Sequence, residues 1–141
     1  MQQSIVKENN MNNCIFCKIV AGKIPSYKVY EDNNILAFLD INPILNGQAL
    51  VIPKKHYTSD FRKVDDNILS KLIIVTKKVA IKIDKALDTR CCIMIEGFDV
   101  DHLHIKLYPT TPENHLILTP CGKSDPIELE KITKKINIST D

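Results

Sequence analysis

The sequence lacks several features that would assign a chain quickly to a class of protein. No apolar run approaches the roughly 20 residues needed to span a bilayer, so we expect no membrane partner. The net charge is only +2, and the basic residues are interspersed with acidic ones. This is not the basic stripe of a nucleic-acid-binding protein, so any anionic ligand must be held by a local site.

Sequence repeats and a signal peptide are also missing. Residues 1–13 are polar and rich in asparagine, without the apolar segment of a signal peptide. We interpret them as a flexible N-terminal extension. The remaining residues, 14–141, suit one domain with one hydrophobic core.

The cysteines are unlike those of a disulfide framework. There are five, an odd number, and no secretion signal accompanies them. A reducing, cytoplasmic location fits better, and there a close cysteine pair more often serves metal or redox chemistry.

Apolar periodicity predicts an α+β domain of antiparallel strands with helices packed to one side. Helical spacing is found over 14–21, over 66–87, and in a short segment that begins at Asp125-Pro126. Strand patterns are found over 27–31, 35–41, 49–52, 91–95 and 102–108.

The strand predicted over 102–108 carries the strongest chemical signal. Because successive side chains of a strand point to opposite faces, His102, His104, Lys106 and Tyr108 share one face. Two imidazoles and an ammonium in a row suit a phosphate, which one histidine can attack while a cation neutralises its oxygens. The same pattern also fits a half-exposed strand with unremarkable polar residues.

A Cys-x-x-Cys motif, Cys14 and Cys17, forms a second group. Such a pair commonly provides half of a zinc site, and His56 and His102 are available as the other two ligands. The alternatives are two small buried residues or a redox pair. No strand precedes the motif, which weakens the redox interpretation.

Other candidates carry weaker signals. Asp40 has the chemistry to accept hydrogen bonds from ribose hydroxyls, although an aspartate in this position is also typical of a turn. Phe16, Ile19 and Ile24 fit either a base pocket or an ordinary core.

Taken together and in order, five segments resemble the histidine-triad (HIT) family, over roughly residues 14–109. They are CIFCKIVAGKIPS (14–26), VYED (29–32), LAFLDINP (36–43), LVIPKKH (50–56) and HLHIKLYP (102–109).

The resemblance implies a five-stranded antiparallel sheet with helices, usually in a homodimer. It assigns His104 as the nucleophile that attacks the α-phosphate of a nucleotide conjugate and forms a nucleotidyl-histidine. Water then releases the monophosphate. The substrates implied are adenosine phosphoramidates or dinucleoside polyphosphates.

The resemblance also implies roles for other residues. It assigns Phe16, Ile19, Ile24 and Phe38 to the purine pocket and Asp40 to the ribose. In the zinc-bearing, bacterial-type branch of the family, the ligands of a structural zinc match Cys14, Cys17, His56 and His102.

Two positions depart from the family pattern. Lys106 replaces the third histidine; it can donate to a phosphate oxygen but cannot act as a neutral imidazole. In the loop before the strand, Gly97 and Asp99 are candidates for nucleotide contacts, and Asp99 lies near the usual Ser or Thr. A carboxylate there repels a phosphate unless it is protonated or paired. Two hypotheses follow: Asp99 pairs with Lys106, or it acts as a proton donor to the leaving group.

Three functions follow as hypotheses. The first is a hydrolase or nucleotidyl transferase acting through His104. The second is a non-catalytic nucleotide-binding or scaffold protein, favoured by the changes at Lys106 and Asp99. The third is a redox or metal-handling protein built on Cys14 and Cys17, which would require a reactive thiolate.

Overall fold

A computed structural model describes residues 13–138. Of the extension predicted over 1–13, all but the last residue lies outside the described residues. In chain order the elements are α1 (Ile15–Val20), β1 (Lys28–Glu31), β2 (Ile35–Leu39), β3 (Ala49–Pro53), a 3-10 turn (Phe61–Lys63), α2 (Asp66–Leu87), β4 (Arg90–Met94), β5 (Ile105–Thr110) and α3 (Pro126–Ile138).

The five strands form one sheet in the order β1-β2-β3-β5-β4. Every neighbouring pair is antiparallel. The five-stranded antiparallel sheet with helices is thereby confirmed. Because β5 lies between β3 and β4, the segment that carries His102 and His104 enters the middle of the sheet rather than its edge.

The long helix α2 covers one face of the sheet and has the predicted bounds. The Asp65 side chain caps its start by accepting a hydrogen bond from the Asn67 N–H, and Asp88 ends it in the left-handed conformation. Its apolar stripe packs on alternate residues of the central strands. The buried core on this face consists of Ile35, Ala37, Ala49, Val51, Val64, Leu72, Val75, Val79, Ile83, Leu103, Ile105 and Leu107.

The short helix α1 packs on the opposite face, against the other set of alternate strand residues. The helices therefore lie on both sides of the sheet, which corrects the expectation that they gather on one side. The physical reason lies in β2 and β3, which are buried along nearly their whole length. A strand buried on both faces needs cover on both. The second core consists of Cys14, Phe16, Ile19, Leu36, Phe38, Leu50 and Ile52.

The predicted strand over 102–108 is wrong at its start, since β5 begins at Ile105. The ladder between β3 and β5 stops at the pair Val51 and Ile105, and the Leu103 N–H donates instead to the Tyr57 carbonyl, 2.9 Å away. The alternation itself is confirmed, because Leu103 lies in the α2-side core while His102 is excluded from it. The polar row is not half-exposed: His102, His104 and Tyr108 are all buried.

The C-terminal part of the described chain has a different character. From Thr111 to Ile138 no side chain is buried, and α3 exposes Ile127, Leu129, Ile132 and Ile136. Within residues 13–138, no helix has both the length and the apolar character needed to cross a membrane.

Candidate functional site

The four predicted metal ligands lie together at one end of the sheet. Cys14, Cys17, His56 and His102 each direct one ligand atom into a group whose members are all within 4.8 Å of one another. Cys14 caps α1, and its sulfur accepts a hydrogen bond from the Cys17 N–H. One helical turn thus holds both sulfurs on the same side.

The spacing of this group fits a tetrahedral ion. Sγ of Cys14 lies 3.3 Å from Nδ1 of His102, and Sγ of Cys17 lies 3.3 Å from Nδ1 of His56 and 3.5 Å from Nδ1 of His102. Sulfur and nitrogen ligands at their usual distances from a tetrahedral zinc would be about 3.5 Å apart. Two sulfurs and two imidazole nitrogens are also the donor set that zinc prefers.

The imidazole of His102 is held in the neutral form, in the orientation that a metal ligand needs. Its side chain is fully buried, and Nε2 donates to the Pro53 carbonyl at 2.8 Å, so Nδ1 carries the lone pair toward the cysteines. Burial lowers the pKa of His102 to about 4. Burial, followed by the neighbouring Cys14, raises the pKa of Cys17 to about 12. A thiol of this kind is not a reactive thiolate, which argues against the redox hypothesis.

His104 does not belong to the group of four metal ligands; it lines a neighbouring cavity. It is 3 % exposed, and its Nδ1 donates to the His102 carbonyl at 2.6 Å. That bond leaves Nε2 unprotonated, and no hydrogen bond to Nε2 is formed within residues 13–138. Burial is the main reason why the pKa of His104 is below its usual range, and it keeps the imidazole neutral at pH 7.

The residue lies at a cavity of about 370 Å³ between α1, β2 and the loop before β5. Eight of the residues predicted for the site line this one cavity: Phe16, Ile19, Ile24, Phe38, Asp40, Asp99, His104 and Lys106. Gly97 is not among its lining residues. The cavity therefore joins an apolar end, a carboxylate directly after β2 and the imidazole, which is the arrangement that a nucleotide would need.

The apolar end is formed by two aromatic rings. Phe16 and Phe38 meet edge to face at 5.7 Å between centroids, and Phe16 meets the His104 ring in the same way at 5.2 Å. Both phenylalanines belong to the second core and also line the cavity, so the same residues form part of the core and part of the pocket. The two interpretations left open by the sequence are not exclusive.

Asp40 is a turn residue, as considered above, and it also lines the cavity. One carboxylate oxygen accepts from the Asn42 N–H at 2.8 Å, as in a turn, and the other accepts from Gln48 Nε2 at 3.0 Å. Gln48 is buried, and its own oxygen accepts from the Ile44 N–H. The carboxylate at the cavity wall is therefore held in one orientation.

Lys106 and Asp99 do not form the ion pair considered above. No carboxylate within residues 13–138 approaches the Lys106 ammonium within 4.0 Å. The two charges act on His104 in opposite directions, since Lys106 lowers its pKa and Asp99 raises it. Both line the cavity and are available to a ligand.

Sequence reasoning missed the network that fixes the loop before β5. The Asp101 carboxylate accepts from the Ser59 N–H at 3.0 Å and from its hydroxyl at 3.2 Å, and that hydroxyl also lies 2.6 Å from the Gly97 carbonyl. Gly97 has φ of +80°, and a Cβ there would lie 2.6 Å from Ser59 Cβ. No pattern in the sequence links Ser59 with Asp101, because 42 residues separate them.

Comparison with known proteins identifies the family. The model of the HIT domain matches residues 21–113, well over half of the chain. The chain is 36 % identical over 129 residues to the adenosine 5'-monophosphoramidase of Saccharomyces cerevisiae, covering 87 % of this chain and 80 % of that protein. A HIT-like protein of Methanocaldococcus jannaschii is 35 % identical over 127 residues, 87 % of this chain and 98 % of the other. The chain belongs to the HIT family.

Solved structures agree with this assignment. A protein of Streptococcus mutans superposes with a TM-score of 0.78 at 32 % identity, covering 92 % of this chain and 87 % of the other. A HIT-family protein of Bacillus subtilis gives 0.73 at 32 % identity, with 92 % and 98 % covered. The fold is therefore that of the HIT family across most of the described residues.

Proposed function

We propose that this chain is a nucleotide hydrolase or nucleotidyl transferase that works through a covalent intermediate on His104. The observation that carries the proposal is the orientation of this imidazole. Nδ1 is held by the His102 carbonyl, and the free electron pair of Nε2 is directed to a cavity with an apolar end and a carboxylate. A buried neutral imidazole fixed in this way is a ready nucleophile.

The chemistry follows from that geometry. Nε2 of His104 attacks the α-phosphorus, and a nitrogen–phosphorus bond forms. The bond to the leaving group breaks, and the leaving group takes the electron pair and a proton from solvent; the water that enters in the second step returns a proton to solvent. Water, or another acceptor in a transferase, then breaks the nitrogen–phosphorus bond and frees the imidazole. Lys106 supplies positive charge to the phosphate oxygens in place of a third histidine.

The ligand's other groups would occupy the rest of the cavity. The apolar end, with Phe16, Ile19, Ile24 and Phe38, suits a purine, and the fixed carboxylate of Asp40 suits ribose hydroxyls. The name of the yeast relative, an adenosine 5'-monophosphoramidase, favours adenosine phosphoramidates as the first substrates to try; dinucleoside polyphosphates are the second class. Gly97 would act indirectly, by shaping the loop that carries Asp99.

The test is release of AMP from an adenosine phosphoramidate and, in parallel, from a diadenosine polyphosphate. We expect His104→Ala to lower turnover at least about a thousand-fold while AMP still binds, because a nucleophile acts only in the chemical steps. Equal release by the parent and the variant would exclude His104 as the nucleophile. Phosphorus-31 NMR of the quenched reaction can detect the nucleotidyl-histidine.

A second candidate is a non-catalytic nucleotide-binding or scaffold protein. It is favoured by one observation, the Asp99 carboxylate at the cavity that would hold the phosphate. If AMP binds but neither conjugate is cleaved, Asp99→Ser and Lys106→His distinguish the two functions. Turnover restored by either change would assign the loss of activity to these two residues.

We also propose that Cys14, Cys17, His56 and His102 hold a structural zinc ion. The fit of their sulfur and nitrogen spacing to a tetrahedral ion supports this, as does the low pKa of His102. When bound, the ion would tie α1 to the segment before β5 and would turn the two thiols into thiolates. It would act on the site only through His102, whose carbonyl orients His104.

A homodimer in the cytoplasm completes the proposal. Helix α3 exposes apolar residues along a face that nothing in the described chain covers, and all five cysteines are unpaired, as in a reducing compartment. Light scattering of the purified protein is expected to give twice the mass of the chain. Ile132→Lys, on the exposed face of α3, should shift the mass toward that of a single chain.

A further inference from the structure

A second cavity, of about 230 Å³, lies on the α2 side of the sheet. It opens between the β1–β2 turn, the end of β3 and the first half of α2. Its floor is formed by Ile35 and Leu72, which belong to the α2-side core, and its walls include Tyr57 and Ile68. A ligand here would therefore place an apolar body on a buried, apolar floor.

The rim of this cavity is cationic. Three lysines line it: Lys54, Lys55 and Lys71. Lys54 is partly neutralised by Glu31, 3.8 Å away, but within residues 13–138 no carboxylate lies within 4.0 Å of the other two ammonium groups. Two lysines without a carboxylate partner among the described residues thus line a cavity with an apolar floor.

One of these lysines is already positioned by the cavity wall. The ammonium of Lys55 lies 5.6 Å from the centre of the Tyr57 ring, a distance typical of a cation–π contact. The same ring is partly buried against the core, so its face is a fixed flat surface. Asn33 and Asn34, in the turn, also line the cavity, and an asparagine side chain can donate hydrogen bonds.

We propose that this cavity binds a small amphipathic anion, which carries a single carboxylate or phosphate head on a short apolar or aromatic body. The head would meet the lysine rim, and the body would rest on Ile35, Leu72 and the Tyr57 ring. Two classes of ligand should bind more weakly than an amphipathic anion. A neutral apolar molecule makes no ion pair with the lysines, and an anion without an apolar body makes no contact with the floor.

The site is separate from the cavity at His104. Ile35 and Leu36 are neighbours in β2 and point to opposite faces, so the first lines this cavity while the second lies in the core beside α1. The two cavities share no lining residue. The proposal does not depend on the activity proposed above.

Chemical-shift mapping of the nitrogen-15-labelled full chain tests this proposal, with phenylacetate and phenyl phosphate as probes. We expect shifts at the amides of Asn34, Tyr57 and Lys71, and we expect them to saturate. The stronger of the two probes identifies the head group. Benzyl alcohol, which lacks the charge, and inorganic phosphate, which lacks the apolar body, should each bind at least about five-fold more weakly.

A matched pair of variants tests whether the charged head group binds at the lysine rim. Lys71→Glu should weaken the better probe at least about five-fold, whereas Lys77→Glu, the same change on an exposed part of the same helix, should leave it unchanged. The spectra of both variants report directly whether the fold is intact, and Lys55→Gln replaces Lys71→Glu if it is not. Shifts confined to the His104 cavity, equal loss in both variants, or equal binding of inorganic phosphate would each overturn the proposal.

Discussion

The two faces of the sheet differ in composition although they belong to the same strands: one is an apolar core, and the other carries the candidate functional residues. On the α2 face, a 22-residue helix covers an apolar core whose buried residues include no histidine or cysteine. On the other face, α1, of six residues, is the only helix of the described range 13–138 in the buried cluster, and the buried residues include His102, His104 and Cys14. The residues with chemical functions thus lie under the shorter of the two helices.

This division has a physical reason. Burying an imidazole costs free energy that its hydrogen bond to a carbonyl group only partly offsets, so the α1 face contributes less stability than the apolar α2 face. The α1 face also contains the larger of the two cavities described above, and a cavity forfeits packing contacts. Substitutions on the two faces should therefore separate stability from activity.

The largest effect is expected from a cavity cut into the α2 face. Ile83→Ala removes a buried side chain from that core and should lower the free energy of unfolding by about 2–5 kcal/mol. The activity of the folded fraction should be unchanged, because the residue is on the far side of the sheet. Urea unfolding measures the first quantity, and Ile81→Ala, a half-exposed site on the same helix, should cost far less. A fall in activity matching the fall in stability would contradict the separation of faces.

The second-largest effect is expected from metal removal, which should lower the stability of the α1 face. If zinc binds the folded chain alone, free zinc at about a hundred times its dissociation constant adds about 2.7 kcal/mol, and a chelator should lower the melting temperature accordingly. Cys14→Ser should abolish this zinc-dependent shift, whereas Cys121→Ser, at an exposed cysteine, should keep it. A melting temperature indifferent to chelator and zinc in the parent would remove the ion from the proposal.

A smaller loss is expected in the loop that carries Asp99. Gly97→Ala should destabilise the fold by about 1–3 kcal/mol, because it adds strain at a positive φ and forces a contact with Ser59. Gly22→Ala is the matched control, with φ of +76° but open space around the added Cβ. The difference between the two variants measures the Ser59 contact. Equal losses would mean that this contact does not hold the loop.

The smallest effect concerns pH. Since burial lowers the pKa of His104, the imidazole stays neutral through its ordinary pKa of 6.5, and kcat/KM should fall only at more acid pH. Asp99→Asn removes a charge that raises this pKa and should move the acid limb to lower pH; Lys106→Gln should move it higher. A pH profile of phosphoramidate cleavage measures both shifts. An acid limb above 6.5 in the parent would contradict the assignment.

Much of the fold could be predicted from local patterns. The bounds of α2 follow from the 3.6-residue spacing of its apolar residues and the cap at Asp65, and both signals lie within the helix itself. The alternation of Leu103, Ile105 and Leu107 likewise predicted their common burial. The start of β5 could not be predicted, because it depends on where β3 stops providing hydrogen bonds.

The candidate site was predictable only in part. The Cys-x-x-Cys motif and the histidine pair follow from spacing and from the family resemblance, and residues 14–109 carried both. The loop network of Ser59 and Asp101 and the lysine-rimmed cavity left no such pattern. Their members come from segments that are distant in the chain.

The sequence by itself determined the elements, the alternating faces of the strands and the family, because these depend on neighbours within a few residues. Only the tertiary structure decided that Cys14 meets His102 across 88 residues and that His104 is buried with its free nitrogen at the cavity. It also decided that Asp99 and Lys106 do not pair with each other. Such contacts depend on the path of the whole chain, and burial, which sets the pKa of each histidine, exists only once that path has closed.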